Sequence, residues 1–189
     1  MLKDLFRKDT KTIAKNILGM FLVHESSEGK TVGKIVETEA YLHDDPATHS
    51  FHGKTVRNAP MFGRAGTAYV YFTYGMHYCF NVVTAKEGVG EAVLIRALEP
   101  VEGLTLMRKR RKIEDISQLC NGPAKLVQAM GIHKEHNGVD LLQHKKLFLL
   151  AKDTHSLSIV KGKRVGISKG QDLPLRFCIK DTLFVSHKI

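Results

Sequence analysis

The residues best suited to chemistry gather between Glu37 and Val83, where acids, tyrosines, histidines and an asparagine fall on strand-like stretches joined by tight turns. In Val36-Glu37-Thr38-Glu39-Ala40-Tyr41, alternation sends Glu37, Glu39 and Tyr41 to one face of a strand. Two readings are open for that face. It is a solvated strand edge, or it walls a pocket in which a partly buried carboxylate serves as a general base toward water. Arg96, alone among the apolar residues of Val93-Leu94-Ile95-Arg96-Ala97-Leu98, is costly to bury unless it meets an anion. It therefore pairs with an acid structurally, or helps to hold a catalytic carboxylate and its water. Tyr74-Gly75 sets an aromatic beside the glycine of a turn, where a ring stands out from a hairpin tip instead of packing inward. On a basic protein such a ring suggests a wedge for stacked bases.

The loop holding His43, Asp44, Asp45, His49 and His52 invites a metal reading, but its spacing matches no HxxxH or CxxC arrangement, and the HxE with PCxxC of zinc deaminases is absent. No metal or other cofactor is expected. Neither a GxSxG elbow nor a GxxxxGK[ST] phosphate loop occurs, which argues against serine-hydrolase and P-loop functions. Twenty-nine Lys and Arg against nineteen Asp and Glu leave a net charge of +10, favouring a polyanionic partner. The basic residues cluster in Arg108 to Lys112, at a helix end, and in Lys161-Gly162-Lys163-Arg164. Cys79, Cys120 and Cys178 are odd in number and far apart, as in a reduced cytosolic chain with buried thiols. No signal-type segment and no run of eighteen apolar residues is present, so neither export nor a membrane partner is expected.

These residues need a scaffold. At 189 residues the chain is long enough for one domain, taken here as 1–189. Asp9 and Thr10 cap a short helix that Gly19 ends, with Ile13, Ala14, Ile17 and Leu18 on one face. Strands are expected at Met20 to His24 and Thr31 to Tyr41, around a Ser26 to Gly29 turn. Residues 42–66 form a loop too long to be idle. Thr67 to Phe72 and His77 to Val83 make a hairpin with Tyr69 and Tyr71 on one face. A strand follows over Ala92 to Ala97. Pro100 then opens a helix through Arg110 that turns Leu104, Met107 and Val101 inward, and a second helix starts near Asn121-Gly122-Pro123 and stops at Gly131. The start of that second helix offers amides to a phosphate, though its cap-and-proline signature reads chiefly as a helix start. Three strands close the chain: Leu147 to Ala151, Arg164 to Ser168, and Leu175 to Ile179, the last pairing with Leu183 to Ser186. The expected fold is α+β, a single compact domain on a largely antiparallel, curved sheet with flanking helices and a protruding β-hairpin.

At these residues the sequence resembles the alkyladenine (3-methyladenine) DNA glycosylase family of the mammalian and Bacillus type, from about Leu5 to Val185. The strongest pieces are Val36-Glu-Thr-Glu-Ala-Tyr-Leu42, Arg57-Asn58, Met61-Phe62, Gly66-Thr67 with Tyr69-Val-Tyr71, Tyr74-Gly-Met76, Leu94 to Pro100, Gly122-Pro123 with Lys125-Leu126, and Arg164-Val-Gly166. The resemblance implies that Glu39 is the base that deprotonates the water attacking C1′ of a flipped nucleotide. It implies that Arg96 positions that water and that Val165 contacts it through its carbonyl. Tyr41 then stacks on one face of the extruded base and His49 and Tyr71 on the other, while Asn81 disfavours the 2-amino group of guanine. Tyr74 enters the minor groove, with Met76 and His77 beside it. The chain departs from its mammalian relatives in the loop after His49, at His77, and near residues 150–160.

The implied partner is double-stranded DNA containing damaged purines, acted on by a monomer in the bacterial cytosol. A carboxylate can steady an oxocarbenium-like sugar and prepare water for attack. A cationic purine such as 3-methyladenine or 7-methylguanine leaves without a second acid, whereas hypoxanthine or ethenoadenine needs a proton. No lysine is expected in the pocket, so a Schiff base and strand cleavage are not expected. Two other readings are a non-catalytic nucleic-acid-binding module and a metal-dependent nuclease built on the His and Asp loop.

Overall fold

The computed structural model describes residues 2–73, 75–151 and 157–189. Two short helices come first, α1 (Leu2–Leu5) and α2 (Thr10–Asn16), the second capped by Asp9, whose carboxylate accepts from the Thr12 N–H. Strands β1 (Phe21–Ser26), β2 (Gly29–Tyr41), β3 (Ala68–Thr73), β4 (His77–Val83) and β5 (Ala92–Glu102) follow. Then come α3 (Leu104–Arg111), α4 (Pro123–Met130), β6 (Leu147–Leu150), β7 (Ile159–Gly162) and β8 (Arg176–Ile179).

All the ladders are antiparallel, and the sheet runs β3-β4-β5-β2-β1-β6, with β8 joined to β2 and β7 to β8. β2 organises it. Its first half pairs with β1, residues Glu37 to Glu39 pair with β8, and β5 runs along the other edge with register shifts around Ile35 to Thr38. Such bulges add local twist and curl the sheet. From Ile35 to Ala40 every residue of β2 is buried, so both faces of the strand are covered. One face holds the main apolar core, where Ile13, Ile17, Leu22, Ile35, Ile95 and Met107 join Leu126 and Met130 of α4. Thr38 stitches α2 to β2 by donating its hydroxyl to the Ala14 carbonyl at 2.8 Å. The opposite face carries the charged residues.

The α+β class, the antiparallel curved sheet and the hairpin agree with expectation. Three element assignments change. Pro100 opens no helix: it lies inside β5, and α3 starts four residues later, after Gly103. Val101 accordingly sits half-exposed on the strand rather than on a helix face. Cross-strand ion pairs, Lys34 with Glu99 and Lys30 with Glu102, carry β5 past the proline. Arg164 to Ser168 is a loop, and the strand of that region is β7 before it. Leu183 to Ser186 is not a strand either, because β8 finds its partners in β2 and β7.

Candidate active site

One row of cross-strand partners runs over five strands: Tyr69 on β3, Asn81 on β4, Leu94 on β5, Glu39 on β2 and Arg176 on β8. Because side chains two positions apart share a face, the row brings Tyr71, Cys79, Arg96, Glu37 and Tyr41 to the same side. Above this floor lies a cavity of about 550 Å³ walled by Tyr41, His49, Tyr71, Asn81, Arg96 and Val165, among others. That volume is in the range that encloses small ligands.

Glu39 has no exposed surface, although Tyr41, Arg96 and Val165, each in contact with it, all line the cavity. Its Oε1 accepts the backbone N–H of Val165 at 2.8 Å, its Oε2 accepts the Tyr41 hydroxyl at 2.9 Å, and Arg96 Nη1 stands 3.4 Å from Oε2. Burial pushes its carboxyl up from the usual range, opposed first by the Arg96 charge and then by the two hydrogen bonds. Gly166, at φ +75°, has open space where a Cβ would stand, so a glycine serves there for its left-handed backbone next to Val165. The Val165 carbonyl meets Arg96 Nη1 at 3.5 Å. Backbone and side chain thus converge on one carboxylate.

Glu37 is also completely buried, which excludes the solvated-edge reading for this face. Its Oε1 accepts from Arg96 Nε at 3.1 Å, Arg176 Nη1 at 3.1 Å and the Ser186 hydroxyl at 2.8 Å, and its Oε2 accepts the Ser186 N–H at 2.6 Å. Two carboxyl groups and two guanidiniums share the cluster, so each buried cation has an acidic partner, the condition under which buried charge is tolerable.

The aromatic walls are held as firmly. Arg164 stands over the Tyr41 ring at 4.7 Å while pairing with Asp45 and donating to the Ala40 carbonyl. Arg164 and Asp45 are buried, so this arginine is not part of a solvated basic cluster. His49 shares a hydrogen bond of 3.0 Å between its Nδ1 and the Tyr69 hydroxyl and meets the Tyr71 ring edge-on at 4.4 Å. Asn81 donates its amide to the Tyr69 carbonyl at 3.0 Å, which sets the orientation of its side chain. Burial pushes the phenol of Tyr69 up to about 12 and those of Tyr41 and Tyr71 higher, and it pushes His49 down. The rings are therefore neutral near pH 7.

At the hairpin tip Met76 and His77 are exposed, and Phe72 is partly so. Tyr74 lies outside the described residues. Arg57 ties the long loop to this hairpin by donating to the Phe72 carbonyl at 2.8 Å. The three loop histidines go to separate places: His43 to Glu91 at 2.6 Å, His49 to the cavity, and His52 against the Phe51 ring. Among the described residues no three His, Cys, Asp or Glu side chains gather as metal ligands. Lys169 lines the cavity, contrary to the expectation of a pocket without lysine, but it is solvent-exposed.

The structure brings Glu39, Arg96, Val165, Tyr41, His49, Tyr71 and Asn81 together and leaves Met76 and His77 on the hairpin. Sequence reasoning missed Arg176, Ser186 and the Arg164–Asp45 pair. The cost argument applied to Arg96 would have flagged Arg176, another arginine amid the apolar residues of Leu175-Arg176-Phe177-Cys178-Ile179. Ser186 left no such signal.

Comparison with known proteins identifies the family to which the chain belongs. A relative from Francisella tularensis subsp. tularensis (strain SCHU S4 / Schu 4), named "Putative 3-methyladenine DNA glycosylase", is 51% identical over 99% of this chain and 98% of its own length. Proteins of the same name from Methanoculleus marisnigri (strain ATCC 35101 / DSM 1498 / JR1), 51% identical over 97% of this chain and 96% of theirs, and from Carboxydothermus hydrogenoformans (strain ATCC BAA-161 / DSM 6008 / Z-2901), 48% over 98% of each, are similar throughout. The profile described as methylpurine-DNA glycosylase matches residues 4–183, and with these relatives it shows that the chain belongs to that family of DNA glycosylases.

Proposed function

We propose that this chain extrudes alkylated purines, 3-methyladenine and 7-methylguanine foremost, from double-stranded DNA and hydrolyses their N-glycosidic bond with water activated by Glu39. The observation that carries the reading is the placement of a buried carboxylate, held by Arg96, Tyr41 and the Val165 N–H, behind the wall of an aromatic cavity. As the bond to the sugar breaks, positive charge grows on C1′, and an ionised Glu39 stabilises that charge while accepting a proton from the attacking water. A base that is already cationic departs without a second acid. It would sit among Tyr41, Tyr71 and His49, with cation–π attraction favouring the charged purine over its neutral parent. Asn81 reaches into the cavity where added bulk on the base would be felt.

Extrusion costs a few kcal/mol. Tyr74, proposed as the minor-groove wedge, would offset part of it, with Met76 and His77 beside it and basic side chains on the phosphates. Lys169, exposed at the cavity wall, is better suited to a phosphate than to attack on C1′, so the product proposed is an intact abasic strand.

The deciding experiment is incubation of the protein with methylated duplex DNA in EDTA, followed by separation of released bases. Free 3-methyladenine and 7-methylguanine are expected. Salt-sensitive binding without release would leave only a binding module, and activity lost to chelator would point to a metal-dependent enzyme.

A further inference from the structure

We infer that the C-terminal segment is part of the hydrolytic apparatus, with Ser186 a positioning residue whose hydroxyl keeps the Arg96 guanidinium turned toward Glu39. The inference rests on the reading of Glu39 as the base. Arg96 is a planar cation whose edges offer separate donors. Ser186 Oγ lies 3.3 Å from its Nε and 3.1 Å from its Nη2, so this one hydroxyl spans an entire edge of the guanidinium. The same oxygen donates its hydrogen to Glu37 Oε1 at 2.8 Å. With that edge taken, Nη1 is the group left to face Glu39 at 3.4 Å and the Val165 carbonyl at 3.5 Å.

The segment is anchored for this task. The Ser186 N–H donates to Glu37 Oε2 at 2.6 Å, and Arg176 Nη1 bridges Glu37 Oε1 at 3.1 Å to the His187 carbonyl at 3.0 Å. A tail that only covered the sheet would need backbone contacts. Here a side-chain hydroxyl is placed on the cation that faces the base. Without it, Nε keeps its 3.1 Å bond to Glu37 Oε1 and Nη2 is drawn toward the second oxygen of Glu37, because a two-pronged arginine–carboxylate pair is the stronger geometry. That rotation takes Nη1 away from Glu39.

The groups facing Glu39 are Glu37 and Tyr41 on its own strand, Arg96 on β5, Arg176 and Cys178 on β8, Cys79 on the hairpin, and the Val165 N–H on the loop after β7, with Tyr71 and Arg164 reaching it only through Tyr41. Among them Arg96 is the charge whose aim depends on Ser186. Loss of its attraction leaves burial less opposed, so Glu39 ionises at higher pH. The rate, which needs the ionised form, then rises later on the pH axis.

The test is single-turnover release of 7-methylguanine from a duplex carrying one such base, across pH, for wild type, Ser186→Ala and Ser186→Thr. Binding of each to an abasic-analogue duplex is measured alongside. Ser186→Ala is expected to slow release at neutral pH by about tenfold and to move the acid limb up by roughly half a pH unit. Duplex binding should stay within about twofold, and Ser186→Thr, which keeps the hydroxyl, should return the limb. Should Ser186→Ala fail to fold, Ser186→Cys, similar in size but a poor acceptor, is read in the same way. An unmoved limb in a folded variant, whatever its melting temperature, overturns the inference and makes Ser186 a structural contact. Absence of release by wild type would instead overturn the glycosylase reading, and this inference with it.

Discussion

The backbone N–H of Val165 meets Glu39 Oε1 at 2.8 Å across 126 positions of sequence. A backbone donor keeps its place when neighbouring side chains change rotamer, so one carboxylate oxygen is fixed by the fold itself. Tyr41 and Arg96 hold the other oxygen, and both line the cavity. The carboxylate is oriented before any base arrives, which is the condition for general-base catalysis by a positioned group.

Replacing Glu39 by Gln keeps the shape and removes the charge. Release of 7-methylguanine should fall by about 10²- to 10⁴-fold in single-turnover assays. Affinity for an abasic-analogue duplex should change little. Near-wild-type release would remove Glu39 from the reaction.

Asn81→Ser shortens a side chain that lines the cavity and is tied to the Tyr69 carbonyl. Release of unmodified guanine from undamaged duplex is expected to rise several-fold relative to release of 7-methylguanine. An unchanged ratio would show that guanine is rejected elsewhere.

Tyr74→Ser should weaken the extruded state. A fluorescent base analogue beside the lesion reports it: the rise in emission on binding is expected to shrink. Equal emission for both proteins would contradict the wedge.

The buried pair Asp45 and Arg164 bears on stability. Asp45→Ala strands a guanidinium in the interior and should cost about 3–5 kcal/mol in urea unfolding. The double change Asp45→Leu with Arg164→Met should cost less, since no charge is left alone. The aromatic wall should respond too, because Arg164 stands over the Tyr41 ring.

His24 supplies a pH dependence. Its Nδ1 meets the Met130 carbonyl at 2.7 Å and so carries the proton, which leaves its Nε2 to accept from His136 Nε2 at 3.1 Å. Burial pushes both histidines below their ordinary value of 6.5. The unfolded chain therefore binds protons that the folded chain refuses, and stability is full above that pH, falls as pH drops below it, and levels once the folded values are passed. His24→Asn keeps an amide for Met130 without titrating. The loss of melting temperature between pH 7.5 and pH 5 should be smaller in this variant than in wild type. An equal loss would assign the acid sensitivity to other groups.

The scaffold was largely legible where one local rule decided each element. Alternation in Val36 to Tyr41 placed Glu37, Glu39 and Tyr41 on one face, and the turn glycine marked the hairpin. Pro100 misled because a proline opening a helix and a proline late in a strand look alike until the partner strand is known. Arg164 looked like surface charge because its partner, Asp45, lies 119 positions away. Val165 and Asn81 entered the site reading through family resemblance, since no periodicity marks a backbone amide or a buried carboxamide as functional. Ser186 was invisible for a related reason: a serine near a chain end has no burial cost to betray it.

Methylating electrophiles that modify purines in DNA also attack carboxylates and thiolates on proteins. Glu39 presents no surface to them, and the thiols of Cys120 and Cys178, pushed up to about 12 by burial, stay protonated and unreactive near pH 7. A dose of reagent that creates the proposed substrates therefore spares the group that would remove them.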